Sequence, residues 1–365
     1  MTESSTVPVA PKQEIVPGLK PARYGWIDVA RGIAMLLVII GHATPKSIPP
    51  LVVLHQWLYS FHIPLFFFIT GLLTKAEARD VPWRDVVTKA ARSLMLPYLL
   101  FGIIAYLAWL LALRHFGVKS AIPIPLWYPT LGILYGSFNS PLAILDAPIW
   151  FFPCLFCALL VNRALPRGVT AEAIAVGLVF AAGVAFVRLC PWRFPWGLDL
   201  ACLVLPFMYA GRKLRPLILN MSSARQWQCL LLVPFLVAIQ TYCGLHNSEV
   251  NIANGHIGQV APFLAAGFAG TLATLFISRF LPEAVLGSFI GRNTIIVFPM
   301  HLFCFSVIAA AIMFSASFHR FVFSGRYTTL GVYVGLTLAG LTIIVPVMKV
   351  LFPWLMPAPR APRSS

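Results

Sequence analysis

The sequence predicts an all-α protein, a polytopic transmembrane helical bundle of about ten spans with both termini cytoplasmic. Three observations carry this. Hydrophobic residues make up 59% of the 365 and charged residues only 10%, where a soluble domain carries about 25% charged residues. The mean hydropathy is +0.84, and the apolar residues recur in runs near the length of about 20 residues that a bilayer core demands of a helix. The basic residues, finally, are distributed unevenly between alternate loops.

Taken in order, the expected spans are 26–45, 54–74, 93–113, 147–162, 170–187, 198–211, 228–245, 259–278, 293–314 and 328–350. Each is an apolar run bounded by charge, proline or a polar cluster. The sixth is short, and 123–138 suits either a re-entrant or an interfacial piece. With the N-terminus in the cytoplasm and the spans alternating, 20 of the 27 Lys and Arg residues fall on the cytoplasmic side and seven on the other. An added or missing span would scramble this asymmetry. It also accounts for the formal net charge of +16 without a nucleic-acid partner, since no basic run is interleaved with solvent-facing aromatics. Residues 1–22 lack the basic region, short apolar core and cleavage site of a secretory signal. They read as a disordered cytoplasmic tail, as do residues 354–365, leaving 23–353 as one transmembrane domain.

Cysteine chemistry is not indicated. Cys154 and Cys157 form a CxxC inside the apolar run IWFFPCLFCALL, where packing explains them better than metal or redox work. No metal site is expected: there is no HExxH or other ligand cluster, and no G-x-S-x-G elbow either. The outer loops are aromatic and rich in amides. Trp127, Tyr128, Trp192 and Trp196 suit stacking on sugar rings or an interfacial aromatic belt. Asp199 and Glu249 are the only acidic residues of the later outer segments, and the sequence names no partner for either.

The chemistry-bearing residues are the ionisable ones at membrane depth, where charge is costly. Asp28, Arg31 and His42 lie in the first span, RYGWIDVARGIAMLLVIIGHATP. Asp28 and Arg31 are three apart and able to pair. Arg31 and His42 are eleven apart, which is three helical turns, one face and about 16 Å along the axis. They cannot touch, but they can engage the two ends of one extended ligand. His62 sits in FHIPLFFFITGLL, either opposite His42 across the helix pair or as a satisfied core histidine. Lys89 and Arg92, three apart at the start of the third span, suit either a phosphate-bearing ligand or membrane anchoring. Arg292 and Asn293 open the ninth span, which contains a third intramembrane histidine, His301.

These residues resemble the acyltransferase 3 family, the multipass membrane acyltransferases that include fucose 4-O-acetylase-like proteins. The resemblance rests on DVARG, on Arg31 and His42 as the family's Arg-x10-His, and on PLFFFITGLL, LMLPYLLFG, IWFFPCLF and GRNTIIVFPMH. One departure is Lys89-x-x-Arg92 in place of an Arg pair, which keeps the charge but loses a bidentate fork. The resemblance implies O-acetylation of a sugar hydroxyl in an exopolysaccharide, surface glycan or lipid-linked precursor, in the inner membrane of a bacterium. Acetyl-CoA would be the acyl donor, held by Arg31, Lys89 and Arg92. His42, Arg31 and Asp28 would be the catalytic residues, with His62, Trp150, Asn293 and His301 toward the substrate. His42 would act as general base or as a transient acyl carrier. A transporter, or a non-catalytic export subunit, is the competing reading, because intramembrane charge also marks transport paths. Oligomeric state is left open.

Overall fold

The computed structural model describes residues 23–75, 80–115, 124–136 and 148–355. The expected tails therefore lie outside the described residues, except for residues 354 and 355, which end a 3-10 turn on the buried Leu355. The described elements are helical, with one isolated β-bridge between Asn251 and His256.

In chain order the helices are α1 (Gly25–Ala43), α2 (Pro49–Tyr59), α3 (His62–Leu73), α4 (Trp83–Ala90), α5 (Leu96–Ala108), α6 (Tyr128–Tyr135), α7 (Phe151–Ala164), α8 (Val169–Leu189), α9 (Leu198–Leu219), α10 (Ser223–Leu231), α11 (Val233–His246), α12 (Val260–Ser278), α13 (Thr294–Phe314), α14 (Ala316–Val322) and α15 (Thr328–Leu351). A π-helical stretch, Ala91–Met95, joins α4 to α5. Each expected span falls on helix. By length and apolar character seven segments are able to cross a membrane, and eight if α10 and α11, bent by 41°, form one span. The remaining two differ for identifiable reasons. The segment Pro148–Ala164 is shorter than a bilayer core requires. Helix α9 carries Asp199, Arg212, Lys213 and Arg215. Large apolar side chains on the outer helices face outward, among them Leu178, Leu189, Ile343 and Val350, each more than 60% exposed. Lipid, not water, suits that surface.

Polar contacts sort the helix ends into two groups. At one end Arg215 donates to the Leu72 carbonyl at 2.6 Å, Arg279 donates to the Ile218 carbonyl, and the Arg279 guanidinium lies 3.9 Å from the Trp26 ring centre. Arg212 and Lys213 both pair with the buried Glu172. At the other end Lys46 pairs with Glu249 at 3.2 Å, and Arg193 pairs with Asp199 at 3.6 Å while donating to the Asn254 carbonyl. Both acidic residues for which the sequence names no partner thus have one. Asp199 also sits in the first turn of α9, where a negative charge faces the positive end of the helix dipole. The ends grouped in this way are those that the alternation of basic residues groups.

The core is built on α3 and α9. Helix α3 is apolar on every side, as a fully enclosed helix must be, and its residues from His62 to Ile69 are all buried. Small residues let the two backbones approach. A Cβ at Gly71 would lie 1.9 Å from the Met208 carbonyl oxygen, and one at Gly211 2.1 Å from that of Phe68. Neither acceptor is able to yield, because both are backbone.

Helices α2 and α3 form one span with a break at Ser60 and Phe61. Pro64 helps to cause it, since it has no N–H to donate to residue 60. A break at membrane depth needs its carbonyls satisfied. The buried Gln240 donates to the Trp57 carbonyl at 3.0 Å and to Ser60 Oγ at 2.8 Å, and His62 Nδ1 donates to the Leu58 carbonyl at 2.7 Å.

Gly71→Ala and Gly211→Ala are each expected to destabilise the protein by about 1–3 kcal/mol through overpacking, read as a lowered unfolding temperature in detergent. Gly177→Ala, where a Cβ meets nothing within 4 Å, should leave it unchanged.

Candidate functional site

Helix α1 runs unbroken from Gly25 to Ala43, so the one-face relation of Arg31 and His42 holds in the structure, at about 16 Å along the axis. The two are the accessible points on that face. Arg31 is one-third exposed at its side chain. His42 is exposed although Gly41 and Ala43 on either side are buried, so its ring opens onto free space beside a packed core. Between them the face carries Met35 and Val38, both buried.

Asp28 organises the first end of α1. Its carboxylate, almost fully buried, accepts from Arg23 Nε at 2.7 Å, faces Arg31 at 3.6 Å and lies 3.8 Å from Arg292 Nε. Arg292 also reaches Glu283 at 3.8 Å. The expected Asp28–Arg31 pair is therefore one arm of a three-arginine cluster, in which cations outnumber carboxylates. Fourteen residues separate Asp28 from His42, about 21 Å of helix. Asp28 therefore meets the arginines around it and is too far along the helix to touch His42.

Around His42 the structure gathers rings from three helices. His301 of α13 lies 5.2 Å away between ring centres, and Tyr59 of α2 lies 6.4 Å away, edge-on. Tyr59 stands between His42 and His62, with the His62 ring at 4.8 Å, and stacks on His55 at 3.9 Å. His301 is fully buried. Its Nδ1 is 2.5 Å from the Phe298 carbonyl and so donates, which makes Nε2 a lone-pair acceptor with no hydrogen-bond partner among the described residues. Asn293 is similar: its Nδ2 donates to the Phe289 carbonyl at 2.6 Å, while its buried Oδ1 has no partner among the described residues. Helix α13 and the 3-10 turn before it, Gly291–Asn293, thus offer two buried acceptors beside α1.

The other expected residues fall elsewhere. Trp150 is buried at the head of α7, next to Phe151, whose ring packs 5.1 Å from Phe298. It supports α13 near His301 and is outside the ring cluster around His42. Lys89 and Arg92 are exposed at the Arg163 end of α7, where Arg163 lies 5.0 Å over Trp83. The π-helical stretch begins between them, so they do not share an uninterrupted α-helical face, and no hydrogen bond or ion pair joins either to Arg31 among the described residues. Trp127 and Trp192 are both exposed, the first beside Tyr128 and the second against Phe186 and Phe194.

Sequence reasoning passed over His55, Tyr59 and Arg23, and it named Arg292 as opening the ninth span without linking it to Asp28. A signal for the first two existed. His55, Tyr59 and His62 are spaced i, i+4, i+7, a helical face of titratable groups in an apolar run. The arginines gave no such signal, since basic residues at span ends read as anchoring.

Tyr59 packs directly on Gly41, where a Cβ would come within 2.9 Å of its ring. Gly41→Ala should displace Tyr59 from His42 and destabilise the protein by about 1–3 kcal/mol through overpacking, measured as a lowered unfolding temperature in detergent.

The family model for an acyltransferase domain, acyltransferase 3, matches residues 24–349. Neither curated proteins nor solved structures yield a match. The matched span begins one residue after Arg23 and ends in α15, so it encloses every residue around His42, and the chain is a multi-pass membrane protein that belongs to the acyltransferase 3 family.

Proposed function

We propose that this acyltransferase moves an acetyl group from acetyl-CoA to a sugar hydroxyl in an exopolysaccharide, surface glycan or lipid-linked precursor, in the inner membrane of a bacterium. The observation that carries the reading is the pairing on α1 of an accessible imidazole, His42, with an excess of arginine about 16 Å away along the same face. The anionic nucleotide of the donor suits the arginine end, with Lys89 and Arg92 at the same end as a looser electrostatic supplement. The donor's arm then runs between α1 and α13, past Met35 and Val38, which must part to admit it. Asn293 Oδ1 and His301 Nε2 supply acceptors for its amide hydrogens on the way.

In the transfer step His42 takes the proton of the sugar hydroxyl as the oxygen attacks the thioester carbonyl carbon. The carbon–sulfur bond breaks, and the departing thiolate takes the proton from His42, so that no proton is gained or lost overall. An imidazole nitrogen that accepts a proton and returns it suits both halves of this transfer. A transient acyl-His42 is the covalent variant. Membership of an acyltransferase family favours transfer over transport.

A strain deleted for the gene and complemented with His42→Ala should show acetyl signals in the NMR spectrum of purified surface polysaccharide reduced by at least about a hundredfold relative to wild type at equal abundance. Unchanged acetylation combined with reduced polymer export would replace transfer by transport. Arg31→Lys keeps the charge but not the fork. It is expected to raise the KM for acetyl-CoA about tenfold with kcat little altered, measured as thiol release by purified protein.

A further inference from the structure

The segment between α11 and α12 is held firmly against α2. Gln56 Nε2 donates to the Gly244 and Leu245 carbonyls in the last turn of α11, both at 3.2 Å, and to the Asn247 carbonyl of the segment at 2.7 Å. Asn247, itself buried, ties the segment internally, accepting from the Gln259 amide at 2.7 Å and donating to the Ile257 carbonyl at 3.0 Å. This scaffold presents Glu249. One carboxylate oxygen lies 3.2 Å from Lys46 Nζ and 3.8 Å from His55 Nδ1. Glu249 and Lys46 are 50% and 67% exposed at their side chains, whereas His55 is 8% exposed. Behind His55 comes Tyr59, stacked on it, and behind Tyr59 comes His42.

Polar groups thus lead without interruption from the surface to His42, and they do so from the end of the bundle opposite the Asp28 cluster. Helix α1 ends at Ala43, one residue beyond His42, so the imidazole is nearer to this mouth than to Arg31. The mouth is balanced in charge, with one carboxylate and one ammonium, unlike the arginine end. A carboxylate that accepts from hydroxyls, an ammonium and an imidazole that donate to them, and a ring that packs on a C–H face together suit a polyhydroxylated acceptor better than a polyanion.

We propose that Lys46, Glu249, His55 and Tyr59 form the acceptor subsite, which takes a sugar ring by its hydroxyls, so that donor and acceptor reach His42 from opposite ends of the bundle. This rests on the reading of His42 as the transfer centre. Glu249 orients the acceptor through its hydroxyls and holds His55, and Tyr59 sets the edge along which the reacting hydroxyl meets His42.

The test uses the full-length protein in a deletion strain, with two readouts: ester-bound acetate released by hydroxylamine from the cell-envelope glycan, and binding of radiolabelled acetyl-CoA to the purified protein. Glu249→Gln and Lys46→Met, both at exposed positions, are expected to lower glycan ester at least tenfold, with acetyl-CoA affinity within twofold of wild type. Glu249→Cys, treated on intact cells with a charged, membrane-impermeant thiol reagent, should lose its residual transfer, while wild type treated alike does not. Wild-type ester levels in Glu249→Gln and Lys46→Met would overturn the subsite and leave the transfer reading standing. Loss of acetyl-CoA binding together with ester would make these residues structural and overturn it equally. Absence of ester formation by wild type would instead overturn the transfer reading itself.

Discussion

The arrangement around His42 depends on one interruption, the break between α2 and α3 at Ser60 and Phe61. An unbroken helix there would satisfy its own carbonyls. The broken one needs donors, and it finds them in Gln240 from α11 and in His62 from the start of α3. Both donors are enclosed by protein, which is the condition under which irregular backbone survives at membrane depth. Through that break α2 carries His55 and Tyr59 against the end of α1, and Gln240 couples the same place to α11 and the segment that bears Glu249. The cluster is therefore a consequence of satisfying backbone polar groups away from water. The rings are set by the helices and not by one another.

The second organising feature is the separation of charge. Asp28 gathers Arg23, Arg31 and Arg292 from two parts of the chain, and a lone buried carboxylate among three guanidinium groups leaves net positive charge for an anion. At the opposite end Lys46 and Glu249 cancel. A chemically two-ended molecule follows, with His42 and Arg31 as the accessible points of a single helical face and buried apolar side chains between them. Helix α3 against α9 supplies the rigid body on which this is mounted, because the glycines at 71 and 211 bring the backbones too close for either helix to slide.

Much of this was legible in the sequence. The positions of the apolar helices follow from composition, and the Asp28–Arg31 pair and the relation of Arg31 to His42 follow from helical periodicity within one segment. The resemblance to the acyltransferase 3 family, carried by short strings such as DVARG and GRNTIIVFPMH, agrees with the match over residues 24–349. Other features were hidden. Nothing in IWFFPCLF distinguishes Trp150 as a support from Trp150 as a ligand, and the π-helical stretch that begins between Lys89 and Arg92 leaves no mark in composition. The short segment 148–164 and the charged α9 show the limit of counting spans by hydropathy, since a helix enclosed by other helices answers to its neighbours and not to lipid.

By itself, then, the sequence determined what depends on neighbours along the chain: which stretches are apolar, which face of α1 carries Arg31 and His42, and where basic residues accumulate. The tertiary structure decided what depends on segments far apart in the chain meeting in space. It set Glu249 beside His55, 194 residues away in the chain, Arg292 beside Asp28, and His301 beside His42. A helix repeats every 3.6 residues, so its faces are written in local order. Which faces meet is decided by the packing of side chains and the pairing of buried polar groups across the whole chain.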